Sequence, residues 1–133
     1  MTEANRLENA RAEAVLGDDA LKAAEALLDL DLHNDAISRA YYAAFHYARA
    51  LLLLLGLEPK THKGVISLLT QHYEGHGLLP ADTLAALARL QTFRGVADYD
   101  AGTRITKERA TSEITAARAF VEAARARLAP RSS

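Results

Sequence analysis

The stretch 34–56, NDAISRAYYAAFHYARALLLLLG, decides the fold of this 133-residue chain. With about 3.6 residues per helical turn, it forms two apolar faces separated by one narrow polar strip. A helix that is apolar on nearly all sides must be covered by other elements. We therefore predict a central helix from about 34 to 55, capped by Asn34 or Asp35 and ended by Gly56 and Pro59. The polar strip consists of Asp35, Ser38, Arg39, Tyr42, His46 and Arg49.

Four further segments repeat apolar residues at helical spacing, and glycine, proline or polar residues separate them. No segment alternates with the period of two that indicates a strand. Short connections between long helices favour antiparallel neighbours, so the predicted fold class is all-α, an up-down bundle of four to five antiparallel helices. The four segments are 4–30 with a possible break at Gly17–Asp18, Thr61 to the Gly75–Gly77 stretch, Pro80 to about Val96, and about 106–128.

The composition is that of a folded globular protein, with 50% hydrophobic and 25% charged residues. A net charge of −1 argues against a surface that binds nucleic acid throughout, although a local basic patch is compatible with it. The absence of cysteine excludes disulfides, thiolate nucleophiles and cysteine-ligated zinc. With no apolar signal region and no apolar run long enough for a membrane, we expect one cytoplasmic domain over 1–133, with its core at about 5–128.

Arg39, Tyr42 and His46 share one face of the central helix, because Arg39 and His46 are seven residues apart. An arginine binds phosphate through its planar donors, and a histidine can transfer a proton near neutral pH. Together they suit metal-free cleavage of an RNA phosphodiester, with Arg49 as a further phosphate-binding candidate on the same strip. The alternative is structural: Arg39 pairs with Asp35, and His46 is a satisfied polar group between helices.

Arg94, Asp98 and Tyr99 form a second candidate cluster at the end of the fourth segment. This cluster could bind a phosphate through Arg94 or expose Tyr99 for modification. Spacing alone favours the structural alternative, an intrahelical salt bridge between Arg94 and Asp98, which is worth only a few tenths of a kcal/mol when exposed. We expect Arg39, Tyr42 and His46 to face one cleft with Arg94, since a charged strip on a buried helix needs a partner.

Five histidines raise the question of a metal site, but they form no recognisable ligand motif. His72 and His76 are four residues apart, yet the neighbouring glycines end that helix, and no metalloprotease pattern surrounds them. Lys63–Gly64 lacks the upstream glycine of a phosphate-binding loop. We therefore expect neither a metal nor another cofactor.

Three blocks in this order, 38–46, 61–67 and 90–99, resemble the HEPN superfamily, especially its small stand-alone prokaryotic members. The resemblance covers about residues 5–128. It implies a bundle of four or five helices that forms a homodimer. It also implies a gene often placed beside a minimal nucleotidyltransferase, in modules that include toxin–antitoxin pairs. Many members of the superfamily are metal-independent endoribonucleases that use an arginine and a histidine four to six residues further on.

Carried over residue by residue, Arg39 and His46 fit that spacing, with six residues between them. Near the later helix Arg94 is present, but Asp98–Tyr99 stands where the histidine would be, and an aspartate is a poor general acid at neutral pH. Tyr99 is the nearest match to the tyrosine that the nucleotidyltransferase modifies in some systems. The preferred hypothesis is a partner module that binds a minimal nucleotidyltransferase and a nucleotide or RNA. The main alternative is a ribonuclease using Arg39 or Arg94 with His46, and a third, weaker one is a plain helical adaptor with no ligand.

Overall fold

Five helices and no strand make up the part of the chain that the structure describes, which confirms the all-α fold class. The structure is a computed structural model that describes residues 2–73, 79, 81–99, 102 and 104–128, apart from the side chains of residues 81, 83 and 96–99. No helix in these ranges is both long and apolar enough to cross a membrane. The helices are α1 (Glu3–Asp29), α2 (His33–Leu54), α3 (His62–His72), α4 (Ala81–Tyr99) and α5 (Lys107–Leu128).

Helix α2 lies at the centre of the bundle and contacts the other four helices. Thirteen of its 22 residues are buried, including the large side chains Ile37, Tyr41 and Tyr47. Burying such side chains contributes about 1.5–3 kcal/mol each, which makes α2 the main hydrophobic anchor of the fold. Helices of the same chain therefore cover the apolar faces of α2, so these faces by themselves do not indicate a dimer.

Helix α1 runs unbroken through Gly17, so the break predicted there is wrong. Gly17 serves a tertiary contact instead, because a Cβ atom at this position would lie 2.6 Å from Cδ2 of Tyr47. Asp18 lies inside α1, and no new helix begins there. Its carboxylate accepts hydrogen bonds from the Tyr47 hydroxyl (2.5 Å) and from Arg125 of α5 (2.7 Å). This close α1–α2 crossing allows side chains from both helices to meet.

The start of α2 also differs from the prediction. The capping residue is Leu32, which makes no side-chain hydrogen bond, and the helix begins at His33. The Asn34 side chain does not cap the helix but accepts a hydrogen bond from the Ile105 backbone N–H (3.0 Å), tying α2 to the segment before α5. The predicted end is correct, since Gly56 follows α2 with a φ of +77°, a conformation that favours glycine.

Helix α4 is fixed to α5 by an ion pair on a buried carboxylate. The Arg89 Nε–H donates to both carboxylate oxygens of Glu113, with 3.0 Å to Oε2. Glu113 is only 1% exposed, so it needs this cation to compensate its lost hydration. The pair sets the position of α4, which carries Arg94 about one and a half turns beyond Arg89.

Candidate functional site

Two arginines from different helices converge on the ring of Tyr42. The Arg39 Cζ atom, from α2, lies 4.8 Å from the ring centroid, and the Arg94 Cζ atom, from α4, lies 5.7 Å from it. Arg94 also lies 5.3 Å from the ring centroid of the neighbouring Tyr41. A guanidinium within about 6 Å of an aromatic ring is attracted by the ring quadrupole. The structure thus brings Arg39, Tyr42 and Arg94 together, and their role as a ligand site stays a prediction.

His62, the first residue of α3, completes this group. Its Nδ1 atom forms a short hydrogen bond with the Tyr41 hydroxyl, and its ring stacks on Phe45 with 4.4 Å between centroids. The Thr61 hydroxyl caps α3 by accepting from the Gly64 backbone N–H (2.9 Å), which fixes the helix start that carries His62. We call Arg39, Tyr41, Tyr42, His62 and Arg94 the arginine–tyrosine cluster.

Burial and charge favour uncharged Tyr41 and His62 in this cluster. Burial, opposed by the nearby charge of Arg94, raises the pKa of the Tyr41 phenol far above its ordinary value of 10.0. Burial and then the Arg94 charge lower the pKa of the His62 imidazole below its ordinary value of 6.5. Near neutral pH the tyrosine therefore keeps its proton, and the imidazole is neutral. The permanent positive charge of the cluster comes from Arg39 and Arg94.

His46 lies in a different polar group, at the α1–α2 crossing. Its Nδ1 atom is 2.9 Å from Oε1 of Glu13, and the Arg49 Nε lies 3.6 Å from the same oxygen. Within the described ranges no hydrogen bond or ion pair joins His46 to Arg39 or Arg94. The contact with Glu13 makes His46 a satisfied polar group between helices, which the structural alternative predicts and which an acid–base role also allows, and the expected single cleft divides into two groups.

The structural alternative for Arg39 does not match the structure. No ion pair between Arg39 and Asp35 occurs in the described part of the chain, and the exposed Arg39 side chain lies over Tyr42 instead. The side chains of Asp98 and Tyr99 lie outside the described residues, as does His76, so the predictions on them are untested. Among the residues that are described, no three histidine, cysteine or acidic side chains come together as a metal site.

Residues 16–127 match the HEPN domain family, which is most of the chain. This protein belongs to the HEPN family. It is 36% identical over 115 residues to a Methanocaldococcus jannaschii protein named "putative toxin", an alignment that covers 86% of this chain and 85% of that protein. A second M. jannaschii protein of the same description is 33% identical over 90 residues, 68% of this chain and 61% of the relative. A Gloeobacter violaceus UPF0332 protein is 42% identical over 82 residues, 62% of this chain and 65% of the relative.

Reasoning from the sequence missed three residues of the arginine–tyrosine cluster and of the polar group around His46: Tyr41, His62 and Glu13. Tyr41 follows the apolar periodicity of α2, which predicts a core residue, and its side chain is indeed buried. His62 stands inside the block 61–67 that carries the family resemblance, and this was the one signal available for it. Glu13 gave no signal, because only the α1–α2 crossing brings it to His46.

Proposed function

We propose that this HEPN protein is the partner of a minimal nucleotidyltransferase in a toxin–antitoxin-like system, and that its arginine–tyrosine cluster binds a phosphate-bearing ligand, a nucleotide or RNA. The observation that carries the binding proposal is the convergence of Arg39 and Arg94 on Tyr42 from two helices. The toxin role is supported by the names of two relatives. The nucleotidyltransferase comes from the family resemblance.

The chemistry of the cluster suits an anionic, planar ligand. Two guanidinium groups supply permanent charge and parallel donors for phosphate oxygens, while aromatic rings offer surfaces on which a base can stack. The net charge of the chain is only −1, so overall repulsion of a polyanion is small. Local geometry at the cluster, rather than the total charge of the surface, is therefore the basis of the proposed binding.

The binding proposal is tested with a short fluorescein-labelled oligouridylate, followed by fluorescence anisotropy. We expect Arg94→Ala to weaken binding by about tenfold or more, the scale of a lost charge-assisted hydrogen bond. Arg11→Ala is the matched control, because it removes the same charge from an exposed position on α1. Equal losses in both variants, or no binding by the unaltered protein, would refute the proposal. Competition by unlabelled oligouridylate or by ATP then separates RNA from a mononucleotide.

The partner proposal has its own test. Inspection of the neighbouring reading frame should reveal a small nucleotidyltransferase, and co-expression should give a complex that co-elutes in size-exclusion chromatography. Sedimentation of the isolated protein tests the symmetric homodimer that the family resemblance implies. A lone gene, and a protein that stays monomeric at micromolar concentration, would count against both assemblies.

A second function, metal-independent RNA cleavage, is favoured by the contact between His46 and Glu13. A carboxylate that accepts from Nδ1–H orients the ring and leaves Nε2 free to take a proton, as in many acid–base sites. The assay uses purified protein with single-stranded and structured RNA in EDTA. If this function is correct, His46→Ala lowers cleavage by roughly 10²-fold or more, whereas His72→Ala at the end of α3 does not. Robust cleavage that is unchanged in His46→Ala would exclude His46 as the proton-transfer group.

A further inference from the structure

We infer that Tyr41 and His62 form a ligand-binding subsite, in which Tyr41 holds the His62 proton on Nε2 and this N–H donates to an oxygen of the phosphate bound by Arg94. The inference rests on the proposed function, because it needs a phosphate at the arginine–tyrosine cluster. It assigns to His62 a neutral binding role rather than proton transfer.

The Tyr41 and His62 rings are connected edge to edge by the hydrogen bond between the tyrosine hydroxyl and Nδ1. Their planes differ by only 12° and their centroids are 5.5 Å apart, while the tyrosine oxygen contacts Nδ1 directly. The rings therefore lie nearly in one plane, side by side rather than face to face. The Phe45 ring, also on α2, is nearly parallel to both, at 20° to His62 and 23° to Tyr41, and it packs against these two rings.

The direction of the hydrogen bond follows from the tyrosine. Tyr41 is 1% exposed, and burial with a raised pKa keeps its hydroxyl protonated. The hydroxyl could also accept from an Nδ1–H, but its own proton would then be buried with no acceptor among the described residues, so donation to Nδ1 is the favoured direction. When Tyr41 donates to Nδ1, the imidazole proton must be on Nε2.

The Nε2–H group of His62 is in a position to meet a ligand. The ring is partly exposed, and the described contacts of the chain include no hydrogen bond to Nε2. Arg94 lies over the Tyr41 ring, and its charge is close enough to depress the pKa of His62. A phosphate oxygen that binds Arg94 therefore lies near the imidazole edge, where a neutral donor adds a hydrogen bond without a further charge.

Substitutions of His62 separate donation from stacking. His62→Gln keeps an N–H donor near the Nε2 position, whereas His62→Phe keeps a ring against Phe45 but has no donor. We expect His62→Phe and His62→Ala to weaken oligouridylate binding by about tenfold, and His62→Gln to stay within about threefold. Circular dichroism of each variant verifies that the bundle is folded.

Two further measurements test the tautomer and the charge of His62 directly. Long-range ¹H–¹⁵N NMR of the unaltered protein should show the Nε2–H tautomer at His62. The ratio of affinities between the unaltered protein and His62→Gln should be constant from about pH 8 to 6.5, because a cationic histidine would instead tighten binding as the pH falls through its ordinary range near 6.5.

The possible failures are distinguishable. If Arg94→Ala leaves binding unchanged, the proposed function fails. If Arg94→Ala abolishes binding but His62→Phe and His62→Ala do not weaken it, the proposed function stands and this inference is overturned. An Nδ1–H tautomer, or a His62-dependent rise in affinity at lower pH, also overturns it.

Discussion

His46 and His62 both contact the ring of Phe45, yet their neighbours give them opposite chemical forms. His46 meets it edge-on at 6.2 Å, and its Nδ1 faces the Glu13 carboxylate, which can only accept. His62 stacks on the same ring, and its Nδ1 faces the Tyr41 hydroxyl, to which we assign the donor role. A neutral His46 therefore presents an Nε2 acceptor, and a neutral His62 presents an Nε2 donor. The hydrogen-bond partner of one ring nitrogen thus determines whether the other nitrogen donates or accepts.

The largest expected effect tests how firmly α4, and with it Arg94, is held beside His62. Arg89→Ala leaves the Glu113 carboxylate buried and without its cation, and we expect it to lower the free energy of unfolding by about 3 kcal/mol. The NMR signals of His62 should shift, whereas those of His46 should not. Urea denaturation measures the first effect and histidine side-chain spectra the second.

The control is Arg118→Ala, which removes the same kind of partner from Glu25 on α1. That pair is 43% and 42% exposed, so its loss should cost less than about 1 kcal/mol. Equal destabilisation by the two variants would show that the burial of Glu113 does not govern the position of α4.

A second prediction disturbs the side of His46. Gly17→Ala places a methyl group against the Tyr47 ring, and we expect a net loss of about 1–2 kcal/mol after the gain in helix propensity. Gly95→Ala is the matched control, because no described atom lies within 4 Å of its added Cβ, and it should stabilise by about 0.5–1 kcal/mol. The signals of His46 should move in Gly17→Ala alone. A stabilising Gly17→Ala would contradict the close α1–α2 crossing.

The helices could be predicted from periodicity because each has an apolar stripe of its own, and α2 is the clearest case. The break at Gly17 was wrong because this glycine permits a contact with another helix, which local sequence does not reveal. Arg39 and Tyr42 could be placed together by spacing on one helix. The approach of Arg94 and His62 depends on how α4 and α3 pack on α2, and the turn of His46 toward Glu13 depends on α1.

A third prediction changes one atom on the His62 side. Tyr41→Phe removes the hydroxyl that donates to Nδ1, and we expect it to cost about 1 kcal/mol and to abolish the preference for the Nε2–H tautomer. Tyr42→Phe is the control, since its hydroxyl has no hydrogen bond to any described part of the chain, and its cost should be near zero. Urea denaturation and long-range ¹H–¹⁵N spectra measure both effects. An unchanged His62 tautomer in Tyr41→Phe would contradict the assigned donor.

The smallest effect concerns the protonation of His62. Because burial and Arg94 lower its pKa below the value of 6.5 that it has when unfolded, the neutral form is favoured in the folded protein. The stability contributed by His62 is thus fully present above about pH 6.5 and is lost as the pH falls toward the lower folded-state pKa. Arg94→Gln removes the nearby charge and should raise the pKa of His62 in an NMR titration. A pKa that stays unchanged would show that burial alone sets it.

His62 belongs to the helix with the fewest anchors. Helix α3 has 11 residues, of which only Val65 and Leu69 are buried. Helices with few buried contacts open locally at a lower free-energy cost than the whole protein unfolds. Such an opening would move His62 away while Arg39 and Arg94 kept their places. The cluster would then bind a ligand through two side chains instead of three. A ligand that binds His62 therefore also stabilises α3 against local opening. Slower amide hydrogen exchange along that helix measures this stabilisation.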